Sequence, residues 1–428
     1  MGTGNALALA VYHGDPAAKG FISYCPIRRG RILMGDEAST TLGGKTMTEL
    51  FEGIQINGMA LRNRSVRSAT WMGMAEKDGR CSTRLINRME ALARGDVGLL
   101  ITGFAYVMPN GQALPGQLGI HDDAMIPNLL KLTKHVHAAH GKVAMQIVHA
   151  GVQTVMREKE DQPVWGPSPV YNKLFRKTPR AMTQGEIKET VQAFARAADR
   201  VKRAGFDAVQ LHGAHGYLIS QFLSPLTNKR TDTYGGPIEN RARFLFQIFR
   251  AVRKRVGKDF PVLIKLNTKD FVRGGFHERD ALFVAKRLGH MGMDAIELSG
   301  GTPAAGNLGP ARTKIRKADE EAYFLPLAKK IKKHVSVPII LVGGIRSLKG
   351  VNAVIKSGAA DLVSMARPLI REPNLIRRWE EGDRKKAACI SCNQCFGAAR
   401  TAEGVHCVVE RRTKTKGGLK KKSKGKTG

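Results

Sequence analysis

His212, His215 and Tyr217 lie within six consecutive residues, directly after the apolar run from Asp207 to Leu211. Two imidazoles side by side can donate hydrogen bonds to an oxygen that gains negative charge, the task of an oxyanion hole. A phenol two residues further on can deliver a proton. His212 and His215 could instead hold a metal, but a strand end lacks the i, i+4 spacing of helical zinc motifs and no glutamate follows in register. Any one of the three reads equally well as a polar residue satisfied beneath a loop. Together, and followed by Ser224, Pro225, Leu226, Thr227 and Asn228, they point to a reaction site that needs a cofactor.

Four cysteines form a second signal. Cys389, Cys392, Cys395 and Cys407, with two, two and eleven residues between them, suit a 4Fe-4S cluster or tetrahedral zinc, and unliganded thiols are the third reading. Cys25 and Cys81 are isolated and need no function. Two polar residues interrupt apolar runs: Gln146 within 143–148 and Lys265 within 262–266. A buried amide is costly unless paired, and a buried cation needs a counter-charge. A ligand would satisfy both.

These side chains need elements to hold them. Short apolar runs recur at 64–68, 97–102, 143–148, 208–211, 262–266, 295–299, 339–342 and 362–365, each bounded by Gly or Pro and followed by a segment with helical spacing. Ile187, Val191, Phe194, Ala198 and Val201 make one helix face, and Thr183 with Glu186 supplies a capping box at its start. Eight strand-then-helix units predict a single (β/α)8 TIM barrel of the α/β class, with a short C-terminal cysteine-cluster extension; an open doubly wound sheet is the competing arrangement. Barrel chemistry sits at the C-terminal strand ends, and His212 follows the fourth strand. The connections at 149–182 and 212–236 are long and are expected to shape the mouth. Ser299 and Gly301, Gly343 and Gly344, and Ala366 and Arg367 end the last three strands, where bare amides beside an arginine form the usual barrel phosphate site.

The organisation follows as a weakly ordered extension at 1–46, the barrel at 47–380, the cysteine segment at 381–410 and a basic tail at 411–428 that is expected to be disordered. The net charge of +34 is spread through the folded part as well as the tail, and no aromatic-interleaved basic motif or helix-turn-helix pattern accompanies it, so a sequence-specific nucleic-acid reader is not expected. No run of 18 apolar residues exists to cross a membrane, and the N-terminus lacks the order of a signal peptide. A cytoplasmic protein is expected.

The run from His212 to Phe244, which includes Lys229, Arg230, Thr231, Asp232, Tyr234, Gly235, Gly236, Glu239, Asn240 and Arg241, closely resembles the signature of the old yellow enzyme family of FMN-dependent NAD(P)H oxidoreductases. Related features extend from about Leu50 to Arg378, and the nearest branch resembles bacterial ene reductases and the barrel portion of 2,4-dienoyl-CoA reductase. The resemblance implies that His212 and His215 bind the electron-withdrawing oxygen of an alkene substrate, and that Tyr217 protonates the carbon that receives no hydride. It implies FMN contacts from Ser68, Ala69, Thr70 and Trp71 after the first strand, Gly103 and Phe104 after the second, Gln146 on the third and Lys265 on the fifth, with the phosphate at the later strand ends. Lys265 stands where the family more often has Arg, Trp71 where many members have Thr or Cys, and Ala366 where many have Gly. The dienoyl-CoA branch has a similar cysteine motif with three residues between its second and third cysteines, against two here. The implied partners are NAD(P)H and an activated alkene, with self-association left open. Two alternatives stand beside an ene reductase: a flavin-dependent dehydrogenase of amines or similar donors that feeds an iron-sulfur cluster, and a basic nucleic-acid-binding or scaffold protein on a degenerate barrel.

Overall fold

A computed structural model describes residues 49–158 and 163–413. The expected N-terminal extension, Cys25 and the basic tail from residue 414 lie outside the described residues. Eight parallel strands form the centre: β1 (Ser65–Arg67), β2 (Leu99–Ile101), β3 (Val143–Val148), β4 (Ala208–Gly213), β5 (Val262–Asn267), β6 (Ala295–Ser299), β7 (Ile339–Val342) and β8 (Leu362–Met365). Each pairs with the next, and β8 pairs back onto β1 with Val363 opposite Ser65. That last pairing closes the ring and excludes the open sheet. The strands read as nearly continuous apolar runs because helices cover their outer faces, and every residue of β3, β4 and β5 is buried.

The helix over Gln184–Arg203 shows how local sequence sets an element. Thr183 Oγ1 accepts from Glu186 N at 3.2 Å while Glu186 Oε2 accepts from Thr183 N at 2.8 Å, which closes the capping box. Ile187, Val191, Phe194, Ala198 and Val201 are all buried. Among the described residues no helix is long and apolar enough to cross a membrane.

A two-stranded hairpin, Ile54–Ile56 and Met59–Leu61, precedes the barrel. Asn57 and Gly58 turn it at φ 41° and 79°, the pair of positive values that a tight hairpin needs and that Asn-Gly adopts readily. Ile56, Met59 and Leu61 pack with Val66, Leu99, Ala144, Ala208 and Leu263 from the strands as one apolar cluster. The hairpin therefore plugs the barrel at its N-terminal end.

Above the plug the interior turns polar. Strand register sets His212 opposite Lys265 and Lys265 opposite Glu297, so three neighbouring strands present these side chains in one layer. Lys265 Nζ lies 3.0 Å from Glu297 Oε1 and donates to Ser68 Oγ at 2.7 Å. Glu297 also accepts from Ser68 Oγ (2.7 Å), Ser364 Oγ (2.9 Å) and Gln210 Nε2 (2.9 Å). Gln146 Nε2 completes the chain by donating to Gln210 Oε1 at 2.7 Å. Burial favours the uncharged form of Glu297, yet the Lys265 charge and these hydrogen bonds outweigh it and hold the carboxyl below its ordinary range.

Removing one member of such a pair strands the other charge. Glu297→Leu should cost about 3–5 kcal/mol in equilibrium denaturation, and adding Lys265→Met should recover most of it. A Glu297→Leu protein as stable as its parent would show that the pair is not buried as described.

Candidate active site

The strand β4 runs two residues past its expected end, to Gly213, so His212 sits on the strand and points into the barrel as part of the polar layer. The chain then turns sharply. His215 adopts φ 62° and Gly216 φ 84°, and the His215 amide donates to Asn267 Oδ1 at 3.2 Å while its carbonyl accepts from Gln153 Nε2 at 3.1 Å. A side chain at Gly216 would collide with Gln153 Nε2 at 2.0 Å, so the tight turn requires glycine there. Tyr217 is the residue before a short helix, Leu218–Leu223.

This turn brings the three rings together. The His212 and His215 centroids are 5.3 Å apart, edge to face, and His212 lies 4.8 Å from Tyr217. Phe104, from the end of β2, packs 5.9 Å from His212 and 5.2 Å from Tyr217. Ser299 Oγ, at the end of β6, contacts His215 Nε2 at 2.7 Å and fixes that ring. His212 Nδ1 is buried and has no hydrogen-bond partner among the described residues, and the same holds for the indole Nε1 of Trp71.

Burial, then repulsion from His215 and Lys265, pushes His212 well below the ordinary histidine value; burial, then Lys265, brings His215 down to about 3. Burial alone pushes Tyr217 upward. Two neutral imidazoles and a protonated phenol therefore face one small volume near neutral pH.

The other residues expected at a flavin have varied duties. Ser68 and Gln146 belong to the polar layer, and Lys265 spends two of its three N–H groups on Ser68 and Glu297. The counter-charge that Lys265 needed is Glu297, and the partner that Gln146 needed is Gln210, so neither requires a ligand to be satisfied. A Cβ on Gly103 would lie 2.8 Å from the Thr70 carbonyl, so its bareness lets the ends of β1 and β2 approach. Thr70 Oγ1 accepts from the buried guanidinium of Arg67 at 2.7 Å. Gly301, at φ 80°, is bound to Lys269 O through its amide at 2.8 Å. Gly343 and Gly344, at φ 147° and 74°, are covered by the Tyr323 ring. Gly344, Ala366 and Arg367 line a cavity at the ends of β7 and β8.

The long connections form the mouth. Arg230 donates to Pro167 O and Met182 O at 3.0 and 2.7 Å and pairs with Asp232 at 2.7 Å, while Asn228 Nδ2 donates to Phe222 O and Tyr234 O. The polar run after His212, His215 and Tyr217 thus ties one loop to the other. Cys389, Cys392, Cys395 and Cys407 line a single cavity with Arg367 and Arg371. Arg371 Nη1 contacts Cys407 Sγ at 3.3 Å. Among the described residues no group of three or more His, Cys, Asp or Glu side chains converges closely enough to hold one metal ion. The described cysteines form no disulfide.

Residues 49–386 match the model of the NADH:flavin oxidoreductase / NADH oxidase family. The chain belongs to this family. Within it, the chain is 39% identical over 356 residues to an NADH oxidase of Thermoanaerobacter brockii, covering 81% of this chain and 53% of that one. It is 37% identical over 327 residues to an NADPH dehydrogenase of Halalkalibacterium halodurans, covering 76% of this chain and 92% of that one. Among solved structures, the old yellow enzyme homologue from Zymomonas mobilis matches at a TM-score of 0.67 with 26% identity, over 80% of this chain and 96% of the other. The chain thus spans about half the length of the first relative and nearly all of the second. The family fold is the closed barrel seen here, and FMN with NAD(P)H is the family's chemistry.

Glu297, Gln210, Ser364 and Asn267 escaped the sequence reading. The rule that singled out Gln146 and Lys265, a polar residue inside an apolar strand, applies equally to Gln210 and Glu297.

The buried histidines carry a pH dependence. His149, like His215, is lowered by burial to about 3. A folded value depressed below the free value of 6.5 means that the stability is present above that pH and lost as pH falls towards 3. NMR should find His149, His212 and His215 unprotonated from about pH 8 down to about 5, while the denaturation midpoint drops over the acid part of that range. A His212 or His215 ring titrating near 6.5 would contradict the buried geometry.

Proposed function

We propose that this chain is an FMN-dependent oxidoreductase that takes reducing equivalents from NAD(P)H and reduces a carbon–carbon double bond activated by an electron-withdrawing group. The observation that carries this reading is the convergence of His212, His215 and Tyr217 in their neutral forms on one volume at the barrel mouth. The site fits FMN on two counts. His212 Nδ1 and Trp71 Nε1 are buried polar atoms in want of a partner, and a cavity bounded by Gly344, Ala366 and Arg367 lies where a barrel holds a phosphate. FMN, when bound, supplies hydride acceptance and donation.

The protein's residues do the rest. Neutral His212 and His215 hold the carbonyl, carboxyl or nitro oxygen of the alkene by hydrogen bonds and stabilise the charge that gathers there. Ser299 keeps the His215 ring in place for this task. Tyr217 keeps its proton on Oη until the carbon next to that group can take it. Lys265 has one N–H left to offer a ligand, and its charge is already balanced in part by Glu297. Gln153, Leu174, Phe175, Gly216 and Thr302 line a further cavity at the mouth, which would receive the rest of the substrate.

For the cysteines we favour a 4Fe-4S cluster over zinc. The two-residue spacings from Cys389 to Cys392 and from Cys392 to Cys395 are those of cluster-binding runs, and all four thiols line one cavity. The same cavity favours a second reading, in which the flavin oxidises an amine or similar donor and the cysteine centre takes the electrons. A nucleic-acid or scaffold role on a degenerate barrel predicts a colourless protein and leaves the three-ring site without purpose. A reducing compartment, the cytoplasm, suits free thiols.

Absorbance of anaerobically purified protein should show flavin bands that leave with FMN on denaturation, together with a broad iron-sulfur band. In stopped-flow experiments Tyr217→Phe should leave flavin reduction by NAD(P)H unchanged and slow flavin reoxidation by an activated alkene by ~10²–10⁴-fold. Unchanged alkene turnover would remove Tyr217 as the proton donor. Flavin reoxidation that runs through iron and ignores alkenes would favour the dehydrogenase.

A further inference from the structure

Two cavities at the rim of the barrel share a wall, and Arg367 is that wall. One holds the four cysteines. The other is lined by Gly344, Ala366 and Arg367 from the ends of β7 and β8, and also by Ser391 and Phe396. Ser391 and Phe396 belong to the stretch that carries the first three cysteines. The cysteine segment therefore supplies part of the second cavity's wall.

Side-chain bonds hold this wall. Arg367 is buried, and its Nη1 donates to Arg312 O at 2.7 Å, to Asn393 Oδ1 at 2.7 Å and more weakly to Ser391 O at 3.5 Å. Asn393 Nδ2 donates onward to Ala311 O at 2.6 Å. Arg346, two residues after Gly344, donates to Cys389 O at 2.6 Å. Ser391 and Asn393 both take left-handed backbone, φ 56° and 61°; Asn adopts it readily, whereas Ser needs its neighbours to hold it there.

We propose that the cysteine segment closes the cavity for the FMN phosphate, so that order in the cysteine centre and retention of FMN are coupled through Arg367 and Asn393. The inference rests on the flavin reading above. A ligand that fixes Arg367 from either side also fixes it for the other, and such coupling is reciprocal.

Asn393→Gly in the full-length chain tests it, since glycine keeps the left-handed backbone and deletes both amide bonds. The FMN dissociation constant, read by flavin fluorescence in flavin-stripped protein, should rise about tenfold, while that of riboflavin, which lacks the phosphate, should stay within about twofold. In the iron-free parent, FMN should slow alkylation of Cys389 and Cys395 about tenfold more than riboflavin does, and this difference should vanish in Asn393→Gly. Unchanged FMN affinity in the variant, or equal protection by FMN and riboflavin in the parent, overturns the coupling and leaves the flavin reading standing. A parent protein that binds neither flavin overturns both.

Discussion

The ion pair between Lys265 and Glu297 is the constraint on which the barrel interior depends. A lysine and a glutamate with almost no exposure to water cost several kcal/mol each in desolvation, and only mutual contact with saturated hydrogen bonding makes them tolerable. Glu297 meets the demand by drawing donors from four strands: Ser68 beyond β1, Gln210 on β4, Lys265 on β5 and Ser364 on β8. Each donor must stand at one height in the barrel for this to work, so the pair helps to pin strand register. It also bears on the charge of the candidate site, because the cation stands beside His212 in the β4–β5 register and adds to burial in opposing protonation of both imidazoles.

The site grows from this layer upward. His212 belongs to it, His215 hangs on Ser299 at the end of β6, and Tyr217 follows where the chain turns into a helix. Loops contribute shape and the strands contribute position. That division explains why the Arg230, Asp232 and Asn228 side chains spend their hydrogen bonds on backbone groups of the loops and on each other.

Much of this was legible in the sequence because it repeats. Eight apolar runs with helical segments between them announce a barrel, and β3, β6, β7 and β8 occupy the expected residues. The proximity of His212, His215 and Tyr217 was visible because one turn suffices to gather them. Partners that depend on register were not visible: nothing along the chain says that Gln146 faces Gln210 or that Lys265 faces Glu297, since such neighbours are 64 and 32 positions apart and are matched only when neighbouring strands pair in register. The N-terminal hairpin was missed for another reason. Three-residue strands are too short to show alternation, and the Asn57-Gly58 turn was the one available sign.

That hairpin has a consequence for traffic. With Ile56, Met59 and Leu61 sealing the floor, whatever reaches the polar layer must come and go by the opposite rim, past Phe104 and Tyr217. A vessel with one opening serves its visitors in turn. Reductant and oxidant would have to share that doorway, each leaving before the next can enter.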